Sequence, residues 1–527
     1  MFSEKCPREP MEMLLNDFLE ISAQKYPDKC ALICQGRRYT YAELDLMSNW
    51  VANALVNRSV QNGDRIVVFL DNSWQSVISI FGILKAGCAF VVVNPQTKVK
   101  KLCYILNNCA AKAFITHWKY RQMLESVEAE VGSLEFSFVC NAEEGGLAQD
   151  KSRVSLEHVL ADGPDRRLGP RAIDIDLAAI IYTSGSTGFP KGASFTHRAM
   201  VSASTSIATY LETADTDIVI NMLPLAFDYG LYQVLMSAQA GATLVLERDF
   251  VFPYEIVKAV VHERVTAFPG VPTIFGMLLH LKDLERYDFS SVRYVTNTAA
   301  ALPPRHIREL KRIFPKAKIY SMYGITECKR VSYMPPDELD ERPTSVGKGM
   351  PNEEVYIVNE KGERVRPNEV GELVVRGSNV MMGYWGMPEE TAKVLRPGRY
   401  PGERVLYTGD LFKMDEDGYL YFVARKDDII KTRGEKVSPK EVEAVIYELP
   451  EVLEVSVVGV QDDLLGQAIK AKIVLKDGLK SLTDRDVIAH CLRNLEPFMV
   501  PKHVEFVASL RKTQSGKIMK RDVEPDE

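Results

Sequence analysis

The sequence predicts an α/β fold: a large N-terminal domain of layered parallel sheets with a small β-rich subdomain, followed by a small, mobile α+β C-terminal domain. Three observations predict it. Helical periodicity alternates with short β-branched runs through most of the chain, the pattern of a mainly parallel sheet. A glycine- and hydroxyl-rich loop, Thr183-Ser184-Gly185-Ser186-Thr187-Gly188-Phe189-Pro190-Lys191-Gly192, follows an apolar run and precedes a helical one. At 527 residues the chain exceeds what one small core can organise.

In chain order, Thr40-Tyr41-Ala42-Glu43 has the capping-box pattern and opens a helix that runs to about Leu55. Residues 66–70 read as a strand, 75–85 as a helix, 89–93 as a strand, and 113–116 as a strand after an intervening helix. The charged segment 151–176, with Gly163-Pro164 and Gly169-Pro170, reads as a connector into a second layer. That layer starts with strand 177–182 and continues through 218–223, 243–246, 266–268, 292–296 and 318–322, with helices between. Beyond about Pro335 the texture changes to short strands and glycine turns. The last unit is expected to begin at Arg425-Lys426-Asp427-Asp428, dividing the chain into residues 1–424 and 425–527, with helices over 439–447 and 484–494.

Composition removes several function classes. Sixty-five basic against 71 acidic residues leave a net charge of −6, with no electrostatic footprint for nucleic acid. The most apolar window, 77–94, is broken by Lys85 and Gly87, so no membrane span is expected. Nine cysteines form no C-x-x-C pair, which suits a reducing compartment and predicts a cytoplasmic protein. Lys5 and Arg8 have no apolar run behind them, so no signal peptide is expected.

The loop at 183–192 has the chemistry of a phosphate cradle. Glycines let backbone N–H groups approach an anion, while Ser184, Ser186, Thr187 and Lys191 add donors and a positive charge. Its spacing differs from G-x-x-x-x-G-K-[ST], because Pro190 stands where a glycine would precede the lysine. The segment after His197 reads as a helix, so strand, loop and helix give the arrangement expected of a nucleotide site. A plain flexible surface loop is the alternative.

Tyr323-Gly324-Ile325-Thr326-Glu327 follows strand 318–322, at a carboxyl end where open α/β sheets bind ligands; the alternative is a helix-initiating Thr/Glu cap. Tyr407-Thr408-Gly409-Asp410-Leu411 puts a carboxylate just past a glycine turn. Downstream lie Arg425-Lys426-Asp427, Lys431-Thr432-Arg433-Gly434-Glu435 and Thr513-Gln514-Ser515-Gly516-Lys517, each otherwise an ordinary charged surface stretch.

Together, in this order, these motifs resemble the superfamily that joins acyl-CoA synthetases, amino-acid adenylation domains and firefly-type luciferases. The resemblance covers nearly the whole chain. It implies that a carboxylate and Mg·ATP give an acyl adenylate and pyrophosphate, after which a thiol attacks and AMP leaves. It implies ATP-binding roles for Thr183, Ser184, Gly185, Ser186, Thr187, Gly188 and Lys191, with Tyr323 against adenine and Asp410 and Arg425 at the ribose. Thr326 would contact the α-phosphate, Glu327 would ligate Mg²⁺, and Lys517 would bridge carboxylate and α-phosphate. Asp427 would be the hinge, and Lys431 would lie in the loop facing the site during thioester formation. The proline usual before the last motif is replaced by Arg511-Lys512.

Substrate choice is read from Pro224-Leu225-Ala226-Phe227-Asp228-Tyr229-Gly230. Asp228 falls where amino-acid adenylation domains hold an α-ammonium, so the main expectation is a small amino acid loaded on the phosphopantetheine of a separate carrier protein. Tyr229-Gly230-Leu231 and Gly270-Val271-Pro272-Thr273 look more like acyl- and aryl-CoA ligases, with coenzyme A as acceptor, and Asp228 could also be a helix N-cap. Thr296-Asn297-Thr298-Ala299-Ala300-Ala301 carries methyl groups where relatives have glycines, which narrows the pocket. Phe227, Asp228, Tyr229, Tyr232, Asn297, Met322 and Val331 are the expected pocket residues. A luciferase-like oxygenase and a non-catalytic nucleotide-binding protein are the remaining readings.

Overall fold

A computed structural model describes residues 13–142, 152–163, 166–183, 190–300, 302–432, 435–462, 466–476, 482–512 and 518–519, with backbone alone at 162, 427, 431, 435–436 and 466. The chain forms two compact units. The first comprises Met1–Pro343, Gly349–Glu354 and Arg376–Leu406; the second comprises Thr344–Lys348, Val355–Val375 and Tyr407–Glu527.

The first unit is built on two large sheets. In the eight-stranded one, Leu177–Thr183, Ala89–Val92, Arg65–Phe69, Ala113–His117, Phe136–Cys140 and Arg153–Ser155 are neighbours in that order and run parallel. Helices cover both faces of such a sheet, which is why these strands are almost continuously apolar. Val67, Phe69, Val91, Phe114 and Ile180 pack with Leu102, Leu106 and Leu124 from the flanking helices. Burying each such side chain contributes ~1.5–3 kcal/mol. In the nine-stranded sheet the parallel centre runs Lys318–Tyr323, Tyr294–Asn297, Ala267–Gly270, Ile218–Asn221, Thr243–Leu246 and Cys30–Cys34.

The capping box forms as its sequence implies. Thr40 Oγ1 accepts from the Glu43 N–H at 3.2 Å, Glu43 Oε2 accepts from the Thr40 N–H at 2.7 Å, and helix Tyr41–Val56 follows.

Two elements add to the expected order. Before the expected helix comes strand Lys191–Thr196, which pairs antiparallel with Leu177–Thr183. The alternation of small residues permits this pairing: a Cβ on Gly192 would lie 2.6 Å from Ile180 and 2.9 Å from the Tyr182 ring. Helix His197–Leu211 starts only beyond that strand. The connector at 151–176 carries two short elements of its own. It contains strand Arg153–Ser155 and helix Leu156–Asp162, whose first turn is capped by the Ser155 hydroxyl accepting from the His158 N–H.

A five-stranded sheet holds Glu353–Val358, Gly371–Gly377, Arg404–Met414, Leu395–Pro397 and Leu420–Arg425. In the second unit, Glu435–Val437, Ile430–Thr432, Gly466–Leu475, Val452–Asp462 and His503–Phe506 form another, packed by helices Pro439–Ile446 and Asp484–Asn494.

Candidate active site

Strand Lys318–Tyr323 ends in a closed turn rather than a helix. The Cys328 and Lys329 N–H groups both donate to the Ile325 carbonyl, at 3.2 and 2.8 Å, and the Val331 N–H donates to the Tyr323 carbonyl at 2.9 Å. Thr326 and Glu327 therefore cap no helix. Gly324 makes the turn possible, since a Cβ there would sit 2.3 Å from the Lys329 carbonyl oxygen. Lys329 adopts a left-handed backbone at φ 72°. Asn379 Nδ2 ties the turn from outside, donating to the carbonyls of Cys328 at 2.8 Å and Arg330 at 3.3 Å and to Glu353 Oε2 at 2.7 Å. Burial holds the Glu353 carboxyl well above the usual carboxylate range.

This turn presents Glu327 to Tyr384, whose hydroxyl donates to Glu327 Oε1 at 2.7 Å. Tyr384 belongs to the short strand Gly383–Tyr384, which pairs antiparallel with Ser194 and Ala193. Lys191, the first residue of strand Lys191–Thr196, places Nζ 5.4 Å from the centre of the Tyr384 ring and 2.5 Å from Glu390 Oε2. Hydrogen bonds from Lys191 and Lys393 hold the Glu390 carboxyl down to about 2. Thr183 pairs with Lys191 in the sheet, and its Oγ1 donates to the Lys191 carbonyl at 3.5 Å. Ser184, Gly185, Ser186, Thr187 and Gly188 lie outside the described residues.

Of the expected pocket residues, Phe227, Asp228, Tyr229 and Tyr232 lie at the start of helix Asp228–Ala240. Phe227 is its N-cap residue and Asp228 its first helical residue, so Asp228 is not the N-cap; its Oδ1 accepts from the Tyr229 N–H at 2.9 Å. Gly230 brings the helix against the preceding chain, where a Cβ would meet the Pro224 carbonyl at 2.4 Å. Tyr229 and Tyr232 are buried, and Tyr229 Oη bonds Thr296 through the carbonyl at 2.9 Å and Oγ1 at 2.5 Å. Tyr232 Oη donates to the Met200 carbonyl at 3.4 Å. Asn297 ends its strand buried, with Nδ2 on the Ala300 carbonyl at 3.0 Å and Oδ1 without a partner. Met322 Sδ accepts from the Tyr210 hydroxyl at 3.0 Å, and Val331 is fully buried.

The second unit carries the other group. Asp410 and Arg425 are directly paired residues of adjacent antiparallel strands, with Arg425 Nε 3.6 Å from Asp410 Oδ1 and Asp410 buried. The Gly409 N–H donates to Glu372 Oε1 at 3.1 Å, fixing the turn before Asp410. Asp427 lies in the 3-10 turn Lys426–Asp428 and Lys431 in strand Ile430–Thr432, both with side chains outside the described residues, as is Lys517 altogether.

Sequence reasoning missed Tyr384, Asn379, Glu390, Lys329 and Arg330. The last two had a legible signal: two consecutive basic residues, Lys329-Arg330, one position beyond the Tyr323–Glu327 motif.

Among the described residues no group of three or more His, Cys, Asp or Glu could hold a metal ion. A single carboxylate such as Glu327 still suits Mg²⁺, a hard cation bound through one or two carboxylates plus phosphates and water. A cavity of about 390 Å³ lies elsewhere, lined by Glu20, Lys85 and Arg167 among others and by none of the expected site residues. Among the described residues no helix is long and apolar enough to cross a membrane.

The AMP-binding enzyme family matches residues 19–385, and the AMP-binding enzyme C-terminal domain matches 441–517. The chain is 31% identical to the long-chain-fatty-acid–CoA ligase of Bacillus subtilis (strain 168), over 98% of this chain and 94% of that one. It is also 31% identical to the mitochondrial medium-chain acyl-CoA ligase ACSF2 of Rattus norvegicus, over 96% and 86% of the two chains. The crystal structure of the anthranilate CoA ligase AuaEII with anthranoyl-AMP superposes with TM-score 0.87 at 27% identity, over 97% of this chain and 96% of that one. ATP-bound MatB from Rhodopseudomonas palustris gives 0.87 at 28%, over 97% and 98%.

Fold and similarity thus define an AMP-forming acid–thiol ligase, with a large N-terminal α/β domain and a small C-terminal domain, which activates a carboxylate with ATP as an adenylate. The chain belongs to the AMP-binding enzyme family.

Proposed function

We propose that this protein joins a carboxylic acid to coenzyme A through an acyl adenylate. The observation that carries the reading is the placement of Tyr384 between the Glu327 carboxylate and the Lys191 ammonium, which brings the carboxylate suited to Mg²⁺ and the phosphate-loop cation to one side chain. Lys191 and the loop before it hold the phosphates, Tyr323 lies against adenine, and Thr326 contacts the α-phosphate. Mg²⁺, held by Glu327, would supply charge neutralisation as pyrophosphate leaves. Asp410 accepts from the ribose hydroxyls, with Arg425 beside it. Lys517, in the C-terminal domain of residues 425–527, bridges the carboxylate and α-phosphate. Rotation at Asp427 then exchanges it for the loop bearing Lys431, which faces the adenylate while the thiol attacks.

Coenzyme A is favoured as acceptor by the near full-length similarity to acyl-CoA ligases. An amino-acid substrate would give Asp228 a cationic partner, but the chain supplies a cation of its own, because Asp228 acts electrostatically on the buried Lys329 ammonium. Desolvation lowers the Lys329 pKa to about 7, and Asp228 and Glu327 oppose that shift.

The test is ATP/pyrophosphate exchange over amino acids, aryl acids and fatty acids, followed by thioester formation with coenzyme A or a phosphopantetheinylated carrier protein. Exchange with an acid lacking an amine, retained in Asp228→Ala, and a coenzyme A thioester are expected. Exchange with one amino acid only, abolished in Asp228→Ala, together with transfer only to the carrier, would restore the carrier-loading reading.

A further inference from the structure

Two consecutive cations, Lys329 and Arg330, are each only 4% exposed beside the expected acyl pocket. Lys329 Nζ has no hydrogen-bond partner and lies 3.5 Å from the centre of the buried Phe195 ring. The Arg330 guanidinium lies 5.0 Å from the Tyr229 ring, beside the Tyr210 hydroxyl and within electrostatic range of Tyr232; its Nε has no partner. Among the described residues no carboxylate accepts a hydrogen bond from Lys329 Nζ or Arg330 Nε.

A buried, unpaired cation costs several kcal/mol, and arginine in particular is used where a planar oxyanion is to be received in a fixed orientation. Aromatic faces and the Tyr210 hydroxyl beside the guanidinium offset part of that cost without supplying a negative charge. The local charges do not balance. Asp228 offsets Lys329, and Glu327 is committed to Tyr384 and the phosphate chemistry, so the Arg330 charge remains. A purely apolar acyl chain would leave it buried and uncompensated.

We propose that Arg330, with Lys329 beside it, is a specificity-determining anion subsite, and that the acid activated here carries a second anionic group such as a carboxylate. This deepens the adenylating reading above and rests on it. The reacting carboxylate goes to the Glu327 side, and the second anion is received by the Arg330 guanidinium. A neutral-ended acid of the same length forfeits that charge-assisted contact and leaves the cation unpaired.

The experiment is pyrophosphate exchange with length-matched pairs, adipate with hexanoate and terephthalate with benzoate, on the full chain and on Arg330→Leu and Arg330→Lys. In the unaltered protein the diacid of at least one pair is expected to have kcat/KM higher by roughly tenfold to a hundredfold. Arg330→Leu is expected to bring that ratio to one or below while retaining exchange with the monoacid; Arg330→Lys falls between. Exchange that favours monoacids in the unaltered protein, or a ratio unchanged in Arg330→Leu, overturns the subsite and leaves adenylation standing. Absence of exchange with every acid overturns the adenylating reading and the subsite with it. Should Arg330→Leu fail to fold, ligand-induced shifts of Tm in the unaltered protein decide: a larger shift with the diacid supports the subsite, an equal or smaller one overturns it.

Discussion

The Tyr384 hydroxyl donates to Glu327 Oε1 at 2.7 Å, across the closed turn that follows strand Lys318–Tyr323. A carboxylate held in this way meets a metal in one orientation without paying rotamer entropy at binding. Tyr384→Phe is therefore expected to raise the Mg²⁺ concentration needed for half-maximal pyrophosphate exchange about tenfold or more, with a smaller effect at saturating Mg²⁺. An unchanged Mg²⁺ dependence would separate Tyr384 from the metal.

Asp410 and Arg425 face each other across adjacent strands, and Asp410 is the buried partner. If Asp410 accepts from the ribose hydroxyls, Asp410→Ala raises the KM for ATP by roughly tenfold or more and erases discrimination against 2′-deoxy-ATP. Arg425→Ala, with an exposed side chain removed, has the smaller effect. Retained discrimination in Asp410→Ala would place the ribose elsewhere.

Lys85 is buried with Nζ donating to Asp45 Oδ1 at 2.6 Å, Ser48 Oγ at 2.7 Å and Asn49 Oδ1 at 2.9 Å. Asp45→Ala strands this cation, at a cost of about 3–5 kcal/mol, whereas Lys85→Met removes the charge with its stem retained and costs less. Urea unfolding of the two variants orders them; a Lys85→Met protein as unstable as Asp45→Ala contradicts the argument.

His197 is fully buried, and Nδ1 accepts from the Leu15 N–H at 3.2 Å. Desolvation lowers its pKa from 6.5 to about 4, against the opposing charges of Asp176 and Asp174. The unfolded chain binds this proton first as pH falls, so the stabilisation is complete above pH 6.5 and declines towards pH 4. The loss amounts to roughly 3 kcal/mol. His197→Gln is expected to flatten Tm against pH across that window, and a slope equal to that of the unaltered protein would remove His197 as its cause.

Much of the architecture was legible because it rests on local pattern. Continuous apolar runs such as Ala89–Val92 and Thr243–Leu246 can be satisfied only between two layers, and Thr40 with Glu43 closes a capping box within four residues. The strand Lys191–Thr196 was missed because Gly192, Ala193 and Ser194 carry little β propensity; their small size matters only against Ile180 and Tyr182. Tyr384 was likewise invisible, since its meaning depends on a partner 57 positions away.

The sequence by itself determined most of the alternation of strands and helices and the presence of Glu327, Asp410 and Lys517, because these follow from periodicity and residue identity. Only the tertiary structure decided that Tyr384 orients Glu327, that Asp228 acts electrostatically on Lys329, and that Arg330 is buried with its Nε unpartnered among the described residues. Burial and charge balance are sums over groups far apart in the chain. They become definite only when packing has removed water from around them.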